Sequence, residues 1–129
     1  MSARPTFTLA LVANSDRAAF PGRRYRALRD AGHEVVPVDL AGSRYVQGDE
    51  AFATLSAVPQ RLDGVVVELP PSRILPLLDE LVRLGISKLW LTNGVGPELS
   101  AHCQARGIEL GKAKDLLPRR SWWRRGDGV

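Results

Sequence analysis

Short, nearly unbroken apolar runs recur along the chain, separated by segments with helical spacing, and this alternation admits few folds. Residues 6–13 run from Thr6 to Ala13 through Phe7, Leu9, Leu11 and Val12. The run is too short for a helix and does not alternate apolar with polar. Such a segment suits a strand buried on both faces of a parallel sheet. Residues 34–39, 62–69, 87–92 and 108–110 repeat the pattern, with the second and third punctuated by prolines at Pro37 and Pro70-Pro71. Between them, residues 23–31 end at Gly32, residues 72–84 end at Gly85, and residues 96–105 are followed by Gly107. A terminal glycine is the usual stop of a helix. In the second of these, Ile74, Leu77, Leu78, Leu81 and Val82 fall at spacings of three and four, which predicts an amphipathic helix. Pro76 is expected near its first turn, where a missing amide hydrogen matters little. Residues 47–59 are expected to form an irregular crossover with a short helical turn over 53–58.

Strand and helix in strict alternation imply βαβ units, whose right-handed crossovers place helices on both faces of the sheet. The predicted fold is α/β: a Rossmann-like, doubly wound, mainly parallel five-stranded sheet. With 129 residues, 44% of them apolar, the chain has material for one core. Residues 1–117 are expected to form that domain and residues 118–129 a basic Trp/Arg tail.

Charge supports this division. Residues 1–111 carry twelve basic and twelve acidic side chains, whereas residues 112–129 carry six and two, so the net charge of +4 belongs to the end of the chain. The body is neutral, which argues against a nucleic-acid-binding body. No apolar run reaches the roughly 18–20 residues of a membrane span, and residues 1–5 do not open a signal peptide, so a cytoplasmic location is expected. Cys103 is the only cysteine and His102 precedes it without metal-ligand spacing. No metal site is expected.

In doubly wound sheets a ligand occupies the crevice beyond the carboxyl ends of the strands, where strand order reverses. That rule selects residues 13–16, 38–40, 69–72 and 92–95. The same segments carry a resemblance. Ala13-Asn14-Ser15 closes the first strand, Val35-Val36-Pro37-Val38-Asp39 forms the second, and Leu55-Ser56-Ala57-Val58-Pro59 follows. Val65-Val66-Val67, Leu69-Pro70-Pro71-Ser72 and Leu89-Trp90-Leu91-Thr92-Asn93-Gly94-Val95 complete the series. In this order, over residues 7–110, the chain resembles the CoA-binding domain family: small stand-alone Rossmann-like CoA-binding proteins and the CoA-binding domain of the succinyl-CoA synthetase α subunit. The resemblance implies coenzyme A or an acyl-CoA as ligand, and no catalysis within this unit, since the synthetase's phosphorylated histidine comes from elsewhere. Where the family loop usually has Gly-Ala-Ser, Ala13-Asn14-Ser15 stands here, and a tighter pocket is expected.

The expected CoA-binding set is Ala13, Asn14, Ser15, Arg23, Val38, Asp39, Leu69, Pro70, Pro71, Asn93 and Gly94. Ser15 and nearby amides suit a pyrophosphate, although Ser15 or Asn14 capping the first helix would use the same amides. Arg23, with Arg17 and Arg24 behind it, suits phosphate oxygens. Val38 and Asp39 end the strand beside which an adenosine would lie, with Asp39 in the place of a ribose-binding acid. Pro70 and Pro71 suit a rigid wall, or simply end a strand; Asn93 and Gly94 suit the pantetheine exit, or simply a turn. His33, after Gly32, is expected to be exposed, and His102 and Cys103 point apart on a helix, so no catalytic residue is assigned. A different function class rests on the tail, where Arg119, Arg120, Arg124 and Arg125 flank Trp122 and Trp123. It would make the chain a protein- or nucleic-acid-interaction module on a degenerate nucleotide-binding fold.

Overall fold

The computed structural model describes residues 5–16 and 18–118. The apolar runs become strands β1 (Thr8–Ala13), β2 (Glu34–Asp39), β5 (Gly64–Val67), β6 (Lys88–Leu91) and β7 (Glu109–Lys112), and a two-residue pair, β3 (Tyr45–Val46) and β4 (Asp49–Glu50), forms a hairpin. Helices α1 (Gly22–Asp30), α2 (Pro71–Arg83) and α3 (Pro97–Ala105) stand between them. The five-stranded sheet has the order β2-β1-β5-β6-β7, and every neighbouring pair is parallel. Strand order therefore reverses at β1, which places the topological switch between β1 and β5.

Period-two side-chain geometry divides the core into two layers. Leu9, Leu11 and Val66 meet Tyr25 and Leu28 of α1 together with Ala113 and Leu116. Ala10, Val12, Val65, Val67, Leu89 and Leu91 turn the other way, against Ile74, Leu78 and Leu81 of α2 and Leu99 and Cys103 of α3. Helices thus cover both faces, as the alternation implied. Residues Leu9 to Val12 have no exposure at all, which is why this run lacks any polar residue.

Several local expectations are corrected. The third main strand is shorter than residues 62–69, whereas the short helical turn expected over 53–58 is present, as a 3-10 turn at Leu55–Ala57. Pro71, not Ser72, opens α2, so Pro76 lies in the helix interior, where it cannot donate to the Ser72 carbonyl. The supposed irregular crossover begins with the β3–β4 hairpin. Its turn is Gln47-Gly48, with φ of 54° and 84°, the consecutive positive values of a type I′ turn. Helix α1 holds this hairpin: Tyr25 Oη donates to Asp49 Oδ2 at 2.5 Å, Arg29 Nη1 to the same oxygen at 2.7 Å, and Arg26 Nη1 to Gln47 Oε1 at 2.5 Å. Burial, reinforced by the bond to Asp49, pushes the Tyr25 phenol up to about 12.

Trp90 explains two glycines. It pairs in register with Val66 on one side and Gly111 on the other. A Cβ at Gly64 would overlap the indole, and one at Gly111 would stand 3.0 Å from Trp90 Cδ1. The ring therefore lies across neighbouring strands over two positions without side chains, with the Phe7 ring 5.4 Å away.

His33 is buried, not exposed. Its Nδ1 accepts from the Phe7 amide at 3.1 Å, so Nε2 carries the proton and donates to the Leu116 carbonyl at 2.7 Å. The ring stacks on Phe7 at 5.8 Å. One side chain thereby ties the segment entering β1 to the turn following β7. His33→Phe retains an aromatic ring against Phe7 and loses both hydrogen bonds, stranding a buried donor and acceptor. It should destabilise the fold by about 1–3 kcal/mol in urea unfolding; a change below about 0.5 kcal/mol, the usual range of surface substitutions, would show the clamp to be unimportant.

Candidate functional site

Because all five strands are parallel, the loops after β1, β2, β5 and β6 share one edge. Every residue expected at the site lies on or beside it. Ala13 ends β1 and is 3% exposed, so its methyl is enclosed by protein rather than projecting from the edge. Asn14 and Ser15 are half-buried in the following turn, where Asn14 Oδ1 accepts from the Asp16 amide at 2.9 Å. Val38 and Asp39 end β2 fully buried; Leu69 is buried after β5, while Pro70, Pro71, Asn93, Gly94 and Arg23 are exposed. Arg17 and residues 119–129 lie outside the described residues.

Asp39 is the centre of the local network. Its Oδ1 accepts from the Ser15 amide and the Ala41 amide, both at 3.0 Å, and its Oδ2 accepts from Ser15 Oγ at 2.7 Å. Burial alone would raise its carboxyl pKa, but hydrogen bonds from Ser43, Ser15 and the two amides outweigh it and hold the pKa below the usual aspartate value. The group expected to meet a ribose instead joins the β1 loop to the β2 loop. Ser15 is likewise engaged through both amide and hydroxyl, and it does not cap α1, which starts only at Gly22.

In the sequence Arg23 is the better-placed arginine for a phosphate and Glu68 carries no local signal. In the structure Arg24 Nε meets Glu68 Oε1 at 3.0 Å, and the Glu68 amide donates to the Val12 carbonyl at 2.9 Å. This pair spans the switch between β1 and β5. Its partners are 44 residues apart, a separation at which no local pattern signals contact.

All three helices begin at this edge. Their N-cap positions are Pro21, Pro70 and Gly96, and none makes a side-chain capping bond. The first turns and the positive dipole ends of α1, α2 and α3 are therefore all directed toward this edge, a setting that favours an anion. Volume alone does not locate the site. A cleft of about 590 Å³ lies at the opposite edge, among Leu62, Asp63, Ile86 and Ser87 ahead of β5 and β6. At the carboxyl edge, a cleft of about 360 Å³ lies past β2, beside Ser43, Arg44 and Tyr45. Strand polarity and helix direction make the carboxyl edge the candidate.

Replacing Asp39 with Asn turns an amide NH₂ toward donors that now meet an acceptor. The loss should be about 1–3 kcal/mol near neutral pH. The folded-state pKa of Asp39 is depressed, so its contribution is present above the unfolded value of about 3.9 and is lost as pH falls through the folded value. The gap between Asp39→Asn and the parent should therefore narrow in acid. A gap in urea unfolding that stays constant from neutral pH to below pH 3 would contradict this account.

Comparison with known proteins extends the same assignment over most of the chain. The sequence profile of the CoA binding domain matches residues 8–115, from β1 to the turn after β7. A conserved hypothetical protein from Pyrococcus furiosus shares the fold at a TM-score of 0.70 and 26% identity, over 81% of this chain and 91% of its own. A Thermus thermophilus protein does so at 0.68 and 25%, over 86% and 91%. A dinucleotide-forming acetyl-coenzyme A synthetase from Ca. Korarchaeum cryptofilum shares the fold alone, at 0.66 and 19%, over 80% of this chain and 25% of that one. Every strand end described above falls within the matched span: the chain belongs to the CoA-binding domain family.

Proposed function

We propose that this protein binds coenzyme A or an acyl-CoA at the carboxyl edge of its sheet and performs no chemistry on it. The observation that carries the proposal is the convergence of three helix N-termini without side-chain caps on the switch-point edge, in a chain of this family. Coenzyme A presents a pyrophosphate and a ribose phosphate. Amide-rich helix ends with an exposed arginine, Arg23, suit such a ligand. In this reading the adenosine lies past Val38 and Asp39, the pyrophosphate near the loop of Asn14 and Ser15 and the start of α1, and the pantetheine arm passes Leu69, Pro70, Pro71, Asn93 and Gly94. Asp39 acts as a positioning residue. Its charge is already shared among four donors, which reduces its repulsion of a 3′-phosphate.

The non-catalytic part of the proposal has its own support. Burial pushes the Cys103 thiol up, opposite to what an activated nucleophile needs. Both ring nitrogens of His33 are engaged in holding the fold.

Thermal shift with coenzyme A is the direct test. A ligand at 100 times its dissociation constant should stabilise the protein by about 2.7 kcal/mol. Absence of any shift at millimolar CoA, together with a shift on adding RNA or DNA, would overturn the proposal in favour of an interaction module using the tail.

Position 15 is a poor place for a charge test, since an aspartate there would face Asp39. Arg23 is exposed and serves better. Loss of a charge-assisted hydrogen bond corresponds to about 1.5–3 kcal/mol, so Arg23→Glu should weaken CoA binding in calorimetry at least tenfold while leaving the melting temperature of the free protein unchanged. Full affinity in this variant would remove Arg23 from the site.

A further inference from the structure

The two faces of the sheet are unequally covered. On the α1 face the helix packs against Leu9, Leu11, Val35 and Val66, which belong to β1, β2 and β5. Over β6 and β7 on that face, Phe7, Trp90 and the 3-10 turn Ala113–Leu116 take the place of a helix. Beside them runs a groove of about 280 Å³, with Phe7, Trp90 and Leu116 in its walls and Lys88, Glu109 and Asp115 at its rim. Phe7 and Trp90 are only partly buried.

We propose that residues 119–129 of this same chain dock in that groove, with Trp122 or Trp123 against Phe7 and Trp90 and the flanking arginines on Glu109 and Asp115. Three observations point to this occupant. The described chain reaches Pro118, two residues beyond Leu116 in the groove wall, so the next segment starts at its rim. Four extended residues span about 13 Å, enough to carry Trp122 from Pro118 along the groove. The segment pairs two large aromatic residues with Arg119, Arg120, Arg124 and Arg125, matching an apolar floor whose rim holds two carboxylates and one lysine. This goes beyond ligand binding, because the groove opens on the α1 face among residues outside the expected CoA set.

The test uses the full chain in solution. Nuclear Overhauser contacts should connect the indole protons of Trp122 or Trp123 with the side chains of Phe7 and Trp90. In a sample mixing labelled and unlabelled protein, filtered spectra should assign those contacts within one molecule. The double variant Glu109→Lys/Asp115→Lys should weaken them and speed amide exchange at residues 122 and 123 several-fold, with the exchange of β1 and β5 unchanged. Indole signals of both tryptophans at free-peptide positions, with no contacts to the groove, would overturn the proposal. Contacts found only between molecules would overturn it in favour of a second copy, and contacts to Ser15 or Asn93 in favour of a lid over the carboxyl edge.

Discussion

Strand β1 is paired along both edges and covered on both faces, and the remaining structure is arranged around that fact. It meets β2 from Thr8 to Ala13 and β5 from Leu9 to Val12. Its alternate side chains belong to different core layers, Leu9 and Leu11 under α1, Ala10 and Val12 under α2 and α3. A strand so enclosed leaves its backbone groups no solvent to bond, so both ladders must form. Because the pairings are parallel, each connection must return along a face, and helices are the segments able to do so while burying an apolar stripe. The alternation visible in the sequence is the consequence.

The same parallel order makes the two edges of the sheet chemically different. Every helix starts at the carboxyl edge and ends at the amino edge, so the dipoles add rather than cancel. The chain reinforces this by omission: no acidic residue stands in the first turn of α1 or α2, and Glu98 is the one in α3. Basic residues instead occupy the last turns, Arg29 in α1 and Arg83 in α2. The amino edge, although it holds a larger cleft, is built of the opposite polarity. The backbone arrangement alone makes the carboxyl edge the one that favours an anion, before any side chain is considered.

Strands and helices were legible because their signals are local: an apolar run, a spacing of three or four, a terminal glycine. The gathering of the candidate residues on one edge was legible for the same reason, since strand ends are local features and parallel topology then brings them together. What escaped depends on partners distant in sequence. His33 looked exposed because it follows a glycine, yet its two bonds go to residues 26 and 83 positions away. Asp39 looked like a ribose ligand because it ends β2, yet its oxygens meet Ser15, 24 residues back. Gly64 and Gly111 carry no local turn signal in their strands; they are needed because Trp90 on the strand between them occupies the space of their side chains. The hairpin at residues 45–50 was missed because its strands are two residues each, too short to display a period.

These distant contacts also change how the absence of a glycine in the first loop bears on ligand binding. A glycine there permits close approach of backbone to phosphate when the missing side chain would have stood between them. Ala13 is 3% exposed, so its methyl is enclosed by protein and does not stand in that approach. The loop beyond it is held by the Asp39 carboxylate through both the amide and the hydroxyl of Ser15. Rigidity that a glycine turn lacks is thus supplied from β2, by a buried acid whose charge is shared among four donors. Glycine permits a loop to adopt a shape, whereas Asp39 holds this one in it, and a loop held in advance loses less entropy on meeting a ligand than a flexible one.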